Sequence, residues 1–317
     1  DLFAGCGGLE DGFLQTNYYE CVSSVEWLKP QVETLRKRLK EKYGVIDADE
    51  KVLHFDIQRE KDLFSGWNND VEFGDSLGLD YYVKKAKGVD LIIGGPPCQA
   101  YSIAGRVRDE NGMKNDYRNY LFEHYLSVVK RYKPKIFIFE NVPGILSAKP
   151  NDKKIIEIIE KDFKDNGYII SKHIQKHGVV DASKYGVPQR RKRVILLGVR
   201  SDLGYVDDLY NLIDTFYEEL LPKYQQKEIT VEEAIGNLPK ITPIWNEDRR
   251  SKKKAYIFDE TVDRHIPRYH NLRDMRIYKM LAEDIELGNN QYTNAAAITE
   301  IYEQEVGSKY PINRYNV

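Results

Sequence analysis

The chain is poor in the residues that cross-link a fold. Its 317 residues include three cysteines, Cys6, Cys21 and Cys98. A sparse, odd count argues against a disulfide framework and for a reducing, cytoplasmic compartment. No apolar run approaches the roughly 20 residues that a membrane helix needs, and no secretory leader is legible, so no membrane association is expected. There is no excess of charge of either sign. Lys and Arg number 48 against 50 Asp and Glu, a net charge of −2, which does not advertise a nucleic-acid binder. Internal repeats and low-complexity tracts are also lacking.

What is present is apolar content, 41% of the chain, enough for one large domain with a sizeable core and a smaller second one. Charge is local rather than global. Arg190, Arg191, Lys192, Arg193 and Arg200 form one cluster, and Arg249, Arg250, Lys252, Lys253 and Lys254 a second. The second reads first as a solvated face. The 23 tyrosines suit base stacking, and suit the codon bias of an AT-rich genome as well.

Apolar runs and breakers predict strands at residues 1–3, 21–25, 52–55, 89–93, 136–139, 168–173 and 194–199. Between them lie helices at 8–16, at 30–43 (opened by Pro30 and stopped by Gly44), at 117–132, and one capped by Asp152 with the stripe Ile155, Ile156, Ile158, Ile159, Phe163. Alternation of this kind predicts an α/β fold with a parallel or mostly parallel sheet. Residues 58–88 read as a polar insertion without a clear element, and 102–116 as a polar loop. The alternation ends near Pro243, which sets the expected boundary between domains 1–243 and 244–317.

The most informative string is Gly94-Gly95-Pro96-Pro97-Cys98-Gln99. It follows a buried-strand pattern and leaves a cysteine on a stiff loop at the strand's carboxyl end, where open α/β sheets bind ligands. The plain alternative is a small buried cysteine in a turn. Glu140 ends the strand Ile136-Phe137-Ile138-Phe139, where burial would raise its pKa. A nucleophilic Cys near such an acid suits attack on an electron-poor ring whose nitrogen takes a proton. A capping or salt-bridging carboxylate is the alternative for Glu140. In Gln189-Arg190-Arg191-Lys192-Arg193, Arg191 and Arg193 alternate onto one face, and an inward Arg needs a carboxylate or a substrate oxygen as partner.

The first strand runs into Phe3-Ala4-Gly5-Cys6-Gly7-Gly8, glycines that let a ligand approach the backbone. The nicotinamide fingerprint Gly-x-Gly-x-x-Gly fails at Glu10, whose charge would repel a pyrophosphate. A ligand with an amino-acid moiety fits better. Glu26 and Asp56 close the next two strands, placed to hold ribose hydroxyls and an adenine amino group. Trp27 is placed to stack on adenine.

Taken in order, these strings closely resemble the cytosine-5 DNA methyltransferases over roughly residues 1–200. Asp1 to Gly8 resembles the family's cofactor loop, and Glu26-Trp27 and Asp56-Ile57 its ribose and adenine contacts. Pro96-Pro97-Cys98-Gln99 with Ser102 resembles the nucleophile loop. Asp116, Arg118, Leu121 and Phe122 resemble the helix that backs the cofactor. Glu140-Asn141-Val142 resembles the acid motif, and Tyr185 to Gln189 with Arg191 and Arg193 the Gln-x-Arg-x-Arg motif. The resemblance implies a Rossmann-like methyltransferase sheet with helices on both faces and a partial C-terminal recognition domain. It implies S-adenosylmethionine as cofactor, S-adenosylhomocysteine as product, no metal, and double-stranded DNA as partner in a bacterial restriction–modification setting.

The resemblance assigns catalysis to Cys98, Glu140, Arg191 and Arg193. It assigns cofactor contacts to Phe3, Ala4, Gly5, Gly7, Gly8, Glu26, Trp27, Asp56, Ile57, Pro96 and Leu121. Contacts to the flipped cytosine and its DNA go to Pro97, Gln99, Ser102, Arg106, Arg118, Asn141 and Gln189. The family's closing Gly-Asn-x-Val-Pro string is missing, so a further C-terminal segment or a second chain is expected to complete the fold and to cover an apolar face beside Phe3 and Leu121. Residues 230–239 resemble the approach to the recognition domain and 265–288 its start. A transfer-RNA cytosine methyltransferase shares these motifs and is the nearest alternative. A nicotinamide oxidoreductase and a non-catalytic DNA-binding subunit are more distant ones.

Overall fold

The structure, a computed structural model, describes residues 1–97, 121–149, 154–245, 255–262, 265–292, 300–301, 303–304 and 307. The chain packs as two compact units, Asp1–Val231 and Glu232–Val317. The division by packing thus lies N-terminal to Pro243, where the composition changes.

In the first unit β1 (Ser24–Glu26) runs parallel to β2 (Val52–His54). The strand expected at 1–3 is reduced to Leu2, which bridges in parallel to Val25 on one side and to Gly94 on the other. Phe3 already turns away with φ 56°, because the glycine loop begins there. Leu2 thereby joins β1 to β5 (Leu91–Gly94), which runs parallel to β6 (Ile136–Asn141). The expectation of a mostly parallel sheet holds for every strand of it but β9 (Lys192–Arg200), against which β6, β7 (Tyr168–Ile170) and β8 (Val179–Asp181) all run antiparallel. Between β7 and β9 lie a one-turn helix, Ile174–His177, then β8, and a 3-10 turn, Ala182–Tyr185. None of these is a helix long enough to carry the chain across the sheet for a parallel return.

Helices cover both faces. The adjacent residues Val52 and Leu53 point to opposite sides of β2 and join separate cores. Val52 packs with Leu14, Val32, Leu35 and Leu39 of the helices Gly8–Leu14 and Lys29–Tyr43. Leu53 belongs to the main core with Tyr125, Phe137, Phe139 and Phe163. The helix Leu121–Tyr132 buries Leu121, Phe122, Tyr125, Val128 and Val129, and Ile155–Asp165 buries Ile155, Ile156, Ile159 and Phe163, both at helical spacing. Phe137 of β6 stacks on Phe163 with centroids 4.0 Å apart. On the reverse side of the same strands Ile138, Ile195 and Leu197 are only half-buried, and Ile136 is 36% exposed. Asp152, the expected cap, lies outside the described residues, and Lys154 takes the N-cap position without a side-chain cap bond.

The insertion at 58–88 contains regular elements, contrary to expectation. It forms the helices Glu60–Ser65 and Gly78–Lys85 around the hairpin of β3 (Trp67–Asp70) and β4 (Gly74–Ser76). Leu63, Phe64, Trp67, Leu79 and Tyr82 are buried, and Trp67 stacks on Phe55 at 3.7 Å between centroids. Among the described residues no helix is long and apolar enough to cross a membrane.

In the second unit, a short hairpin pairs Thr242–Pro243 with Tyr256–Ile257. The helix Leu272–Glu286 starts at Asn271, whose side chain accepts from the Asp274 N–H. The buried carboxylate of Asp284 accepts from the N–H groups of Gln291 and Tyr292, each at 3.0 Å, and so fixes the chain reversal after that helix.

Candidate active site

The carboxyl ends of β1, β2, β5 and β6 converge with the amino end of the antiparallel β9. On the cofactor side, Ala4 hands its N–H to Val25 O at 3.0 Å and is buried. Gly5 (φ 56°) donates its N–H to Glu26 Oε2 at 2.8 Å. The other oxygen of Glu26 accepts from Leu28 N at 2.8 Å. Glu26 therefore braces the glycine loop from beneath. Gly7 has φ 78°, and a Cβ there would lie 2.3 Å from Leu35 Cδ1, so the loop is pressed onto the helix Lys29–Tyr43 as only glycine permits. Gly8 opens the next helix and is exposed.

Trp27 is 50% exposed, as a stacking platform would be. The backbone bond from Phe55 N to Glu26 O, at 3.0 Å, brings the end of β2 alongside. Asp56 is half-buried and accepts from Gln58 N at 3.0 Å. Ile57 and Leu121 are buried, while Phe3 is half-buried.

On the chemical side, Arg193 Nε lies 2.7 Å from Glu140 Oε1. Burial raises the pKa of Glu140 above its ordinary value, and the charges of Arg193 and then Arg191 oppose that rise. Arg191 and Gln189 are exposed. Gly95 presses against the same carboxylate, since a Cβ at Gly95 would stand 2.7 Å from Glu140 Oε2. Pro96 is buried and Pro97 exposed. Asn141 is buried and donates from Nδ2 to Pro96 O at 3.2 Å. Cys98, Gln99, Ser102, Arg106, Asp116 and Arg118 lie outside the described residues.

Sequence reasoning missed two features. Tyr125, fully buried, directs its hydroxyl at Ile92 O (3.1 Å) and Ile138 O (3.0 Å) and pins β5 to β6. Burial holds its pKa well above the usual range. In the sequence it is one more apolar-stripe residue, and nothing marks its hydroxyl. Glu10 was misread. It is buried and accepts from Ser24 Oγ at 2.8 Å, so its charge is engaged with β1. Burial first, and Glu10 next, push the neighbouring Cys21 thiol up to about 12. Glu10 and Cys21 line a cavity of about 340 Å³ that also touches Asp90 and Leu91 at the start of β5. That is the end of the sheet opposite the converging residues.

A Rossmann-like sheet closed by an antiparallel strand, with a glycine loop braced by an acidic strand end, is the architecture of S-adenosylmethionine-dependent methyltransferases. The C-5 cytosine-specific DNA methylase pattern matches residues 1–314, and the chain belongs to that family. It is 32% identical over 294 residues to the Type II methyltransferase M.Bpa9945I of Bacillus paralicheniformis, covering 79% of this chain and 62% of that protein. It is 32% identical to the DNA (cytosine-5-)-methyltransferase M.ApeKI of Aeropyrum pernix, covering 64% of this chain and 44% of that one. The chain thus spans about half the length of these curated relatives. A crystal structure described as a prophage-encoded DNA modification methyltransferase of E. coli superposes with a TM-score of 0.50 at 26% identity, over 77% of this chain and 55% of that chain.

Proposed function

We propose that the chain is the catalytic part of a type II DNA cytosine-5 methyltransferase that modifies a flipped cytosine in double-stranded DNA. The observation that carries this reading is the Glu140–Arg193 pair set against the Gly95-Pro96 backbone that leads into Cys98, with Glu26, Trp27 and Asp56 on neighbouring strand ends. The relatives named Type II methyltransferases support DNA as substrate over transfer RNA. S-adenosylmethionine fits the first half of the site. Gly5 and Gly7 hold left-handed backbone beside Glu26, and Trp27 offers an open ring face. Bound there, it supplies a sulfonium-activated methyl group. Phe3, Ala4, Gly8, Ile57, Pro96 and Leu121 shape the same pocket.

Cytosine must leave the stack to reach such a pocket. The Cys98 thiolate adds to ring carbon 6, and the ring electron pair moves toward carbon 5. Glu140, its pKa raised by burial, holds the proton shared with ring nitrogen 3. Arg193 steadies that carboxyl and faces the base's carbonyl oxygen. After carbon 5 has gained the methyl, loss of its proton returns the electron pair. The bond from sulfur to carbon 6 then breaks and the thiolate leaves. Arg191 joins the catalytic group through its charge, which acts on Glu140, and Gln189, Arg118, Arg106, Ser102, Gln99 and Pro97 contact the DNA around the base. The unit Glu232–Val317 contributes to target recognition.

The test uses full-length protein with S-adenosylmethionine and DNA bearing 5-fluorocytosine at the target, where fluorine blocks the last elimination. A denaturation-resistant protein–DNA adduct is expected, and Cys98→Ser is expected to abolish it. An adduct that survives Cys98→Ser removes the nucleophile assignment. Methyl transfer to transfer RNA but not to DNA moves the protein to the alternative substrate.

A further inference from the structure

We infer that Asn141 and Gly95 are positioning residues that hold the cysteine loop and Glu140 in one register; the inference rests on the function proposed above. Pro96 and Pro97 have no backbone N–H. Over these two residues the loop offers only acceptors and cannot tie itself to the sheet with its own donors. A donor has to come from elsewhere, and Asn141 provides it. Its Nδ2 donates to Pro96 O at 3.2 Å, and its Oδ1 accepts from Val142 N at 2.8 Å, so the amide cannot flip without losing both bonds. Asn141 is 4% exposed.

Asn141 and Glu140 are successive residues of β6 and therefore project to opposite faces. Glu140 meets Arg193 on one face, and Asn141 reaches the loop from the other. The assignment of Asn141 as a DNA contact is thus replaced by action through the loop. Gly95 makes the complementary contact. Its backbone lies where a Cβ would come within 2.7 Å of Glu140 Oε2, so the loop forms one wall of the carboxylate's seat. The end of a single strand carries both the acid and the brace of the nucleophile loop. A displacement of one therefore displaces the other, and misplacement by about 1 Å costs on the order of 10² in rate.

The experiment uses full-length protein and DNA bearing 5-fluorocytosine, and reads the single-turnover rate of adduct formation, the Kd for DNA and for S-adenosylmethionine, and Tm. Asn141→Asp keeps the shape and the acceptor to Val142 but sets an oxygen against Pro96 O. The adduct rate is expected to fall by about 10²-fold, with both Kd values within about threefold of wild type. Partial recovery is expected at low pH, where the introduced carboxyl is protonated and can donate. Asn141→Ala is expected to lose rate similarly without that recovery. Gly95→Ala is expected to lose rate and to alter its pH dependence, because Glu140 is pushed from its seat. Should Asn141→Asp not fold, Asn141→Ser, which retains a donor, must react faster than Asn141→Ala.

A wild-type rate in Asn141→Asp overturns the inference, as does a loss of DNA affinity in step with the rate, which marks a direct substrate contact. A wild-type protein that forms no adduct overturns the functional reading itself, and the inference with it.

Discussion

Arg193 reaches Glu140 because the two stand on strands that run in opposite directions, so that the start of β9 lies beside the end of β6. Both side chains are about three-quarters buried, at 22% and 27% exposure, where a charge needs its partner. Replacing Arg193 by Gln removes the larger of the two charges that oppose the effect of burial on Glu140. The pKa of Glu140 should then rise further, and the inflection of kcat/KM that tracks it should move to higher pH. Activity should also fall by about 10²-fold, the scale of losing one charge-stabilising donor. An inflection that stays in place in an active Arg193→Gln protein would show that the pair is not formed in solution.

The two glycines that open the first helix should respond differently to alanine. Gly7 holds φ 78° and faces Leu35 at 2.3 Å from an added Cβ, whereas Gly8 has open space around it and an ordinary φ. Gly7→Ala should cost about 1–3 kcal/mol of stability through clash and strain and should weaken cofactor binding. Gly8→Ala should stay within about 0.5 kcal/mol. Denaturant melts of the two variants, run together, check the contrast. Equal effects would mean that the loop does not press on the helix as described.

Trp27 projects half-exposed beside the buried Glu26, so its removal should spare the fold and harm only what stacks on it. Trp27→Ala should weaken S-adenosylmethionine binding by about 1–3 kcal/mol, the range for a lost stacking contact to a base. Calorimetry with an unchanged Kd would remove Trp27 from the adenosine site.

The parts of the site that lie where strands end were legible in the sequence, because an apolar run followed by Gly, Pro or an acid marks a carboxyl edge without reference to tertiary structure. Glu26, Asp56, Gly95 and Glu140 were found that way. What was not legible depends on contacts between distant segments. Residues 58–88 show no single period, because Leu63, Phe64, Trp67, Leu79 and Tyr82 bury themselves against Phe55 and the helix Leu121–Tyr132 rather than along one face. The direction of β9 shows only in its pairing with β6, β7 and β8, segments distant in the chain. The fate of Glu10 is decided by Ser24, a residue on another element. A local pattern sees the charge and not its partner.

The ordered insertion is fastened to the helix Leu121–Tyr132 by two carboxylates. Glu60 lies 2.6 Å from His124 Nδ1 and accepts from Ser127 Oγ at 2.8 Å. Asp80 accepts from Arg131 Nε and from the Tyr132 hydroxyl, both at 2.8 Å. The Arg131 hydrogen bonds hold Asp80 below its ordinary pKa, against the opposing effect of burial. A carboxylate whose pKa is lower folded than unfolded adds stability above its unfolded pKa. That contribution disappears as pH falls through the folded value, because both states are then protonated. Asp80→Asn should therefore be less stable than wild type at neutral pH, by about 1 kcal/mol or less because the pair is partly exposed. The gap should close as the solution is acidified below the usual carboxylate range, and should narrow at neutral pH when salt is raised. Urea melts at neutral and acidic pH, at low and high salt, measure it. A gap that persists unchanged in acid would show that Asp80 contributes through packing and hydrogen bonding rather than through its charge on Arg131.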